Sequence, residues 1–175
     1  VGSHMLRDPR DVIISGYFYH KWTTEQSFIE HLGFLDTSYQ NFLNSISKDD
    51  GISFEMQNKA TDTMAWMSLW NYNNPKILEI KYEDLIFNCD DVFIRLFKHW
   101  GINPVFMDEC LEISRGHHMT IQTGRKVGEE DSTSHMRNGM PGQWKMHFTD
   151  KHKKYFKERF GDILIRLGYE KNNNW

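Results

Sequence analysis

Apolar residues recur at helical spacing along most of the chain, and glycine, proline or asparagine marks the breaks between these segments. The first segment, from Pro9 to about His20, is predicted to be a helix, because Asp8 is a favourable N-cap and proline a favourable first helical residue. A second helix is predicted after Thr24, since the following residues recur on one helical face: Phe28, Leu32, Leu35, Tyr39 and Phe42.

The next segments predict a mixture of helix and strand. Ser47 to Gly51 is typical of a turn, Phe54 to Trp70 of a helix, and Asn71 to Pro75 of a break after it. Lys76 to Ile80 alternates in polarity and carries β-branched residues, which indicates a strand. Val1 to Leu6 is predicted to be a second short strand.

The C-terminal half is predicted to be helical on both sides of one long loop. Five apolar residues from Val92 to Trp100 form one helical face, and Gly101 follows at the C′ position. A helix from Asn103 to about Gly116 comes next, and Thr149 caps a final helix. The residues between them, His117 to Gly142, are predicted to form a loop, and long ordered loops are usually functional.

Composition narrows the possible classes of function. The chain has 175 residues with 39% apolar and 14% aromatic side chains, enough for one domain with a hydrophobic core. The net charge of -3 does not favour nucleic acid as a partner, and no apolar run reaches the roughly 18 residues of a membrane span. Cys89 and Cys110 lack metal-ligand spacing, so we expect reduced core cysteines in a cytoplasmic protein.

Three regions are predicted along the chain. Residues 1–5 include Gly-Ser-His-Met, which expression vectors commonly leave behind, so they are either a vector remnant or the start of a native strand. Residues 6–170 form the predicted domain, and residues 171–175 form a polar tail.

The start of the domain carries residues suited to an anion. Arg7 lies at the end of the first predicted strand, where open α/β sheets bind ligands, and Ser15 follows eight residues later. An arginine fork together with a hydroxyl suits a phosphate. The alternative is that Arg7 joins Asp8, Arg10 and Asp11 in a cluster of helix caps and salt bridges.

A second stretch, between residues 124 and 145, carries four basic residues among four glycines. Glycines let backbone N–H groups approach an anion closely. The same composition also fits a solvated loop, so this stretch alone does not define a site.

Three segments, in this order, resemble the cytosolic-type sulfotransferases that use 3′-phosphoadenosine 5′-phosphosulfate (PAPS): RDPRDVIISGYFYH, NYNNPKILEIKYEDL and RNGMPGQWKMHFTDKHKKYFKERFGDILIRLGY. Together they span nearly the whole chain. The resemblance implies an α/β, helix-rich, P-loop-like sulfotransferase fold in which helices flank a central parallel sheet. It also implies that Arg7 and Ser15 hold the 3′-phosphate of the nucleotide, and that Tyr82 lies near the adenine.

The resemblance extends to the glycine-rich stretch. Arg137 and Gly139 correspond to a loop that closes over the same 3′-phosphate in relatives. Asn138 stands where relatives commonly carry lysine, which removes a charge but leaves a backbone N–H able to donate. His117 and His118 stand where relatives often carry serine and phenylalanine. Loss of the phenylalanine is expected to weaken stacking on the adenine, and the alternative is that a histidine ring stacks there instead.

Relatives also begin with segments that this sequence does not contain. In the family, a strand and a phosphate loop with a lysine for the 5′-phosphosulfate precede the RDPRD motif, as does a catalytic histidine. No GxxxxGK pattern occurs here. The chain is therefore interpreted as the C-terminal part of the domain, lacking the N-terminal strand and phosphate loop. No catalytic residue is assigned, and the chain alone is expected to be inactive.

The implied activity is transfer of the sulfuryl group of PAPS to a hydroxyl or amine of a small-molecule acceptor, leaving adenosine 3′,5′-bisphosphate (PAP), without a metal. The alternative is a non-catalytic module that binds a nucleotide or a protein. A P-loop kinase is disfavoured because the Walker lysine is missing. The sequence identifies neither the acceptor nor the oligomeric state.

Overall fold

The computed structural model of the chain describes residues 1–32 and 37–175. The strands of this described part are β1 (Gly2–Leu6), β2 (His31–Leu32), β3 (Thr37–Ser38) and β4 (Ile77–Lys81). Its α-helices are α1 (Pro9–His20), α2 (Gln26–Ile29), α3 (Tyr39–Ser45), α4 (Lys48–Gln57), α5 (Lys59–Leu69), α6 (Tyr82–Phe87), α7 (Cys89–Trp100), α8 (Met107–Gly116), α9 (Met119–Thr123), α10 (Trp144–His147), α11 (Asp150–Phe160) and α12 (Ile163–Arg166). A 3₁₀-helix covers Pro104–Phe106.

The elements group into two compact units. The sheet unit comprises Val1–Arg7 and Asn71–Pro141, and the helical unit comprises Asp8–Trp70 and Gly142–Trp175. The predicted fold class is confirmed, since the chain is a helix-rich α/β protein with a small parallel sheet.

The parallel pairing of β1 with β4 organises the sheet unit. The register runs from Gly2 opposite Ile77 to Leu6 opposite Lys81. Both strands were predicted: β1 begins one residue later than the predicted Val1, and β4, predicted from its alternation, lies one residue further along the chain than expected. Both strands end at the same edge of the sheet, because they are parallel and of equal length.

Helix α7 packs on this sheet. Its Val92 and Leu96 form a buried cluster with Ile80 of β4. The helix ends at Gly101, whose φ of 76° is left-handed, a conformation that glycine adopts without strain. The predicted helical face and its stop are therefore confirmed, and so is the helical segment from residue 104 to 116.

Helix α1 is central to the helical unit and has the predicted bounds. Asp8 caps it, because its carboxylate accepts a hydrogen bond from the Arg10 N–H at 2.9 Å. The helix contacts α3, α4, α5 and α10. Its buried apolar side chains are Ile13, Ile14 and Tyr17.

A buried polar network joins three helices of this unit. Glu55 of α4 is 2% exposed and accepts a hydrogen bond from the Tyr39 hydroxyl of α3 at 2.9 Å. The same carboxylate oxygen lies 2.9 Å from Nδ1 of His20 in α1. Such partners are needed because desolvation destabilises an unpaired buried carboxylate. Burial, and then the Glu55 carboxylate, raise the pKa of Tyr39 above its ordinary value of 10.0.

Arg10 forms a second buried cluster in the helical unit. It is 2% exposed, and its guanidinium lies 2.7 Å from carboxylate oxygens of both Asp8 and Glu170. The guanidinium carbon also lies 3.8 Å from the Trp144 ring centroid and 4.5 Å from that of Trp175. The predicted polar tail thus ends in an aromatic side chain that packs on the core.

Asp11 fixes the start of α10. It is fully buried, and its carboxylate accepts hydrogen bonds from the N–H groups of Gly142 at 2.6 Å and Trp144 at 2.9 Å. Backbone N–H groups at a helix start have no partner within the helix, so this carboxylate satisfies them. Arg10 and Asp11 therefore have structural roles, as expected.

The single helix predicted after Thr24 is wrong. The described chain forms α2, then the short antiparallel pair of β2 and β3, and then α3. Phe28 of α2 and Tyr39 of α3 nevertheless pack together, with ring centroids 5.8 Å apart. Apolar periodicity thus identified Phe28 and Tyr39 as buried, whereas Phe42 is half-buried and the described elements do not form one continuous helix. Leu35 lies outside the described residues.

Other boundaries also differ from the prediction. Ser47 opens α4 and not a turn, because its hydroxyl accepts from the Asp50 N–H at 3.1 Å. Asn58 separates α4 from α5, and Gly161 separates α11 from α12. The predicted loop from residue 117 to 142 contains one short helix, α9, and a second short helix, α10, follows it.

Replacing Gly51 by alanine is expected to destabilise the protein. A Cβ at Gly51 would lie 2.6 Å from Cε2 of Tyr17, a ring only 2% exposed that has no room to move. Overpacking of this kind typically costs about 1–3 kcal/mol. Gly116→Ala is the control, because nothing lies within 4 Å of its new Cβ and the substitution rigidifies a helix end. Urea unfolding followed by tryptophan fluorescence checks both, and equal midpoints for the two variants would contradict the packing.

The stability of the protein is expected to fall above about pH 10 through Tyr39. Its folded-state pKa is raised, so the unfolded chain loses the phenolic proton first and stability decreases as the pH rises past the unfolded value of 10.0. Tyr39→Phe is expected to show a shallower decline of the unfolding free energy over this window. Tyr155→Phe, a half-buried tyrosine of α11, serves as the control. An unchanged slope in Tyr39→Phe would show that this hydroxyl does not cause the decline.

Candidate functional site

Arg7 and Tyr82 lie side by side at the end of the parallel sheet. Leu6 and Lys81 form the last register pair of β1 and β4, so the residue after each strand emerges at the same edge. Ligands of open α/β sheets bind at this edge, beyond the carboxyl ends of the strands. The guanidinium carbon of Arg7 lies 4.5 Å from the centroid of the Tyr82 ring, which is a cation–π contact.

Tyr82 also contacts the glycine-rich loop, which runs from Gly124 to Gly142. Its hydroxyl donates a hydrogen bond to the carbonyl of Gly139 at 3.0 Å. Gly139 has a φ of 72°, and a Cβ there would lie 1.8 Å from Sδ of Met119. Both the conformation and the space exclude a side chain at this position. Three predicted site residues therefore meet within the sheet unit, namely Arg7, Tyr82 and Gly139.

Arg7 has an unsatisfied hydrogen-bond donor. Its Nε is buried and has no hydrogen-bond partner among residues 1–32 and 37–175. A buried guanidinium N–H without an acceptor is unfavourable, and an anion at this point would satisfy it. The cluster of caps and salt bridges, which was the alternative interpretation, includes Asp8, Arg10 and Asp11 but leaves this donor of Arg7 without a partner.

Arg125 orders the glycine-rich loop from within. Its guanidinium donates four hydrogen bonds, at distances between 2.8 and 3.1 Å. The acceptors are the carbonyls of Glu129, Met136 and Arg137 and the hydroxyl of Ser134. Sequence analysis had grouped Arg125 only with the other basic residues of the stretch. Its position beside Gly124, at the start of a loop rich in backbone acceptors, was the available signal.

Asn138 stabilises the glycine-rich loop through hydrogen bonds to its backbone. Its side chain is bonded on both sides, since Nδ2 donates to the Gly128 carbonyl and Oδ1 accepts from the Met140 N–H, both at 3.1 Å. Its own carbonyl accepts from the Gly128 N–H at 2.8 Å. The residue is 5% exposed. Asn138 thus has a structural role in the loop, and its contact with a nucleotide through the backbone N–H stays a prediction.

Arg137 is paired with a neighbouring carboxylate. Its Nη1 lies 2.5 Å from Oε1 of Glu130. The Arg137 side chain is 10% exposed, whereas that of Glu130 is 41% exposed. Glu130 was not identified by sequence analysis, because nothing in a run of acidic residues indicates which of them pairs with a given arginine.

The other predicted residues have separate surroundings. Ser15 is half-buried on α1 in the helical unit, and its part in the site stays a prediction. His118 caps α9, because its Nδ1 accepts from the Thr120 N–H at 3.4 Å, and His117 is exposed. Stacking of either ring on an adenine also stays a prediction. His20, which was not assigned a catalytic role, lies in the network of Glu55.

The structure also bears on whether the described residues form a metal site or a membrane span. In the described part of the chain, no group of three or more His, Cys, Asp or Glu side chains is arranged to hold a metal ion. None of its described helices combines the length and the apolar character needed to cross a membrane.

Cys89 and Cys110 are half-buried thiols, which corrects the expectation that they are core residues. Burial raises the pKa of the Cys89 thiol.

Comparisons with known proteins match this chain to one family. The family model described as Sulfotransferase domain matches residues 4–168, a range that contains every predicted site residue. Sulfotransferase 2A6 of Mus musculus is 28% identical over 170 residues, which cover 93% of this chain and 55% of that protein. Sulfotransferases 2A2 and 2A1 of the same species are each 27% identical over 154 residues, covering 83% of this chain and 50% of each protein.

The chain spans about half the length of these relatives. The family match nevertheless covers nearly the whole chain and all three motifs from which the resemblance was drawn. The chain therefore belongs to the sulfotransferase family.

Proposed function

We propose that this chain binds the nucleotide of a sulfotransferase that transfers the sulfuryl group of PAPS to a hydroxyl or amine of a small-molecule acceptor. The observation that carries the proposal is the buried Nε of Arg7, beside Tyr82 at the end of the parallel sheet, for which the described part of the chain offers no acceptor. An arginine fork at this edge suits a phosphate.

Family membership supports the 3′-phosphate as the anion in question. The motif that contains Arg7 is the one that resembles the 3′-phosphate-binding segment of PAPS-dependent members, and Ser15 occupies the corresponding serine position. Tyr82, which contacts Arg7, donates a hydrogen bond to the carbonyl of Gly139. A side chain would not fit at Gly139, so only its backbone lies at this position. These features support a closely fitted site for a phosphorylated nucleotide.

The catalytic steps are not assigned to residues of this chain. Sulfuryl transfer requires a base that accepts the proton of the acceptor, and donors that stabilise the charge growing on the leaving phosphate. The structure supports the binding of the nucleotide, so PAP is the ligand with which the proposal is tested. A cytoplasmic location is part of the proposal and rests on the resemblance to the cytosolic-type members.

Replacing Arg7 by alanine is expected to weaken PAP binding. Loss of a charge-assisted contact costs about 1.5–3 kcal/mol, which corresponds to roughly 10- to 150-fold in the dissociation constant. Isothermal titration calorimetry of the wild-type chain with PAP, and with ADP as the nucleotide that lacks a 3′-phosphate, provides the reference. Arg95→Ala is the matched control, because it removes the same charge from an exposed position of α7. Undiminished binding by Arg7→Ala, or no preference of the wild type for PAP over ADP, would refute the proposal.

Replacing Tyr82 by phenylalanine is expected to weaken PAP binding by a smaller factor. The ring beneath Arg7 is kept, but the hydrogen bond from the hydroxyl to the Gly139 carbonyl is lost. A neutral hydrogen bond contributes about 0.5–1.5 kcal/mol, or roughly 2- to 12-fold in affinity. Tyr72→Phe removes a hydroxyl elsewhere in the sheet unit and serves as the control. Equal affinities of Tyr82→Phe and the wild type would show that this hydrogen bond does not position the loop for binding.

A further inference from the structure

Arg137 binds an anion supplied by the protein itself. The 2.5 Å contact between its Nη1 and Oε1 of Glu130 joins a largely buried guanidinium to a carboxylate at the surface. A buried guanidinium is unfavourable without a counter-ion, because its desolvation must be offset by a partner. Glu130 provides that counter-ion in the structure.

The loop keeps its shape without this ion pair. Two backbone hydrogen bonds close the loop on either side of Glu130, from the Gly128 N–H to the Asn138 carbonyl and from the Asp131 N–H to the Arg137 carbonyl, both at 2.8 Å. The four hydrogen bonds of Arg125 reinforce the same backbone. The Glu130 side chain is therefore free to leave Arg137 while the loop backbone stays in place.

We infer that Glu130 competes with the 3′-phosphate of the nucleotide for Arg137 and thereby sets the nucleotide affinity. This inference rests on the proposed function, because it requires Arg137 to bind that phosphate. A phosphate dianion forms stronger hydrogen bonds with a guanidinium than a carboxylate monoanion does, so it displaces the carboxylate. An ion pair with an exposed partner is weak, which keeps the displacement inexpensive in free energy.

The exchange acts in both directions of the binding cycle. When the nucleotide enters, Glu130 moves to water, which its exposed position allows. When the nucleotide leaves, Glu130 returns to Arg137 and keeps the buried guanidinium neutralised. Glu130 is thus a determinant of affinity and of product release, without contacting the reacting sulfate.

The test compares two neighbouring glutamates by titration with PAP. Glu130→Gln removes the competing charge and is expected to tighten PAP binding about two- to five-fold, the range expected for a partly exposed ion pair. Glu129→Gln is the matched control, because it removes the same charge one residue away, from a carboxylate that accepts the backbone N–H of Lys126 and has no ion pair among the described residues. Its affinity for PAP is expected to stay at the wild-type value. Thermal unfolding of both variants verifies that the fold is kept.

A second comparison shows whether the effect acts through Arg137. In an Arg137→Ala background, Glu130→Gln is expected to have no further effect on PAP binding, since coupling between two residues disappears when one of them is removed. With adenosine 5′-monophosphate, which lacks the 3′-phosphate, the gain from Glu130→Gln is expected to be absent.

The outcomes separate the inference from the proposed function. If the wild type binds PAP and Glu130→Gln binds it equally or more weakly, the inference is overturned and the proposed function stands. Equal tightening in Glu129→Gln, or tightening that persists without Arg137, also overturns it, because the effect is then one of general charge. If neither the wild type nor Glu130→Gln binds PAP, the proposed function fails at this site and the inference fails with it.

Discussion

The parallel pairing of β1 with β4 is the interaction on which the rest of the site depends. The two strands are 75 positions apart in the register, yet they have equal length and end together at Leu6 and Lys81. This shared end brings Arg7 to within a cation–π distance of Tyr82. A slip of one residue in the register would place the two side chains on opposite faces of the sheet, since side chains alternate along a strand. The apolar packing of Ile80 against α7 opposes such a slip.

Three arginines of this chain differ in the hydrogen-bond partners that surround them. Arg10 binds two carboxylates and contacts two tryptophan rings, so its hydrogen bonds serve the packing of the helical unit. Arg7 has a buried Nε with no acceptor among residues 1–32 and 37–175, which is consistent with the proposed binding of an anion. Arg137 is intermediate, because it binds a carboxylate that is itself exposed. The same type of side chain thus has two carboxylate partners at Arg10, a buried Nε with no acceptor among the described residues at Arg7, and an exposed carboxylate partner at Arg137.

The glycine-rich loop is organised by its own side chains, and this changes the meaning of Asn138. Relatives commonly carry a lysine at this position, and the asparagine removes one positive charge from the site. In exchange, its amide bonds to Gly128 and Met140 and holds the loop closed. A loop that is already ordered loses less conformational entropy when it binds a ligand, which favours the proposed binding of a nucleotide.

Local signals in the sequence determined α1, β4, the end of α7 at Gly101, and the family, because caps, glycines and motifs act over a few residues. They also identified Arg7, Tyr82 and Gly139 as residues of one site, through the resemblance of the motifs to the family. Tertiary structure alone decided that Phe28 and Tyr39 belong to separate helices, α2 and α3, where periodicity indicated burial but not continuity. It alone decided that Arg10 binds Glu170, that the Nε of Arg7 has no acceptor among the described residues, and that Glu130 binds Arg137. The pairing of charged groups depends on which side chains packing brings within reach.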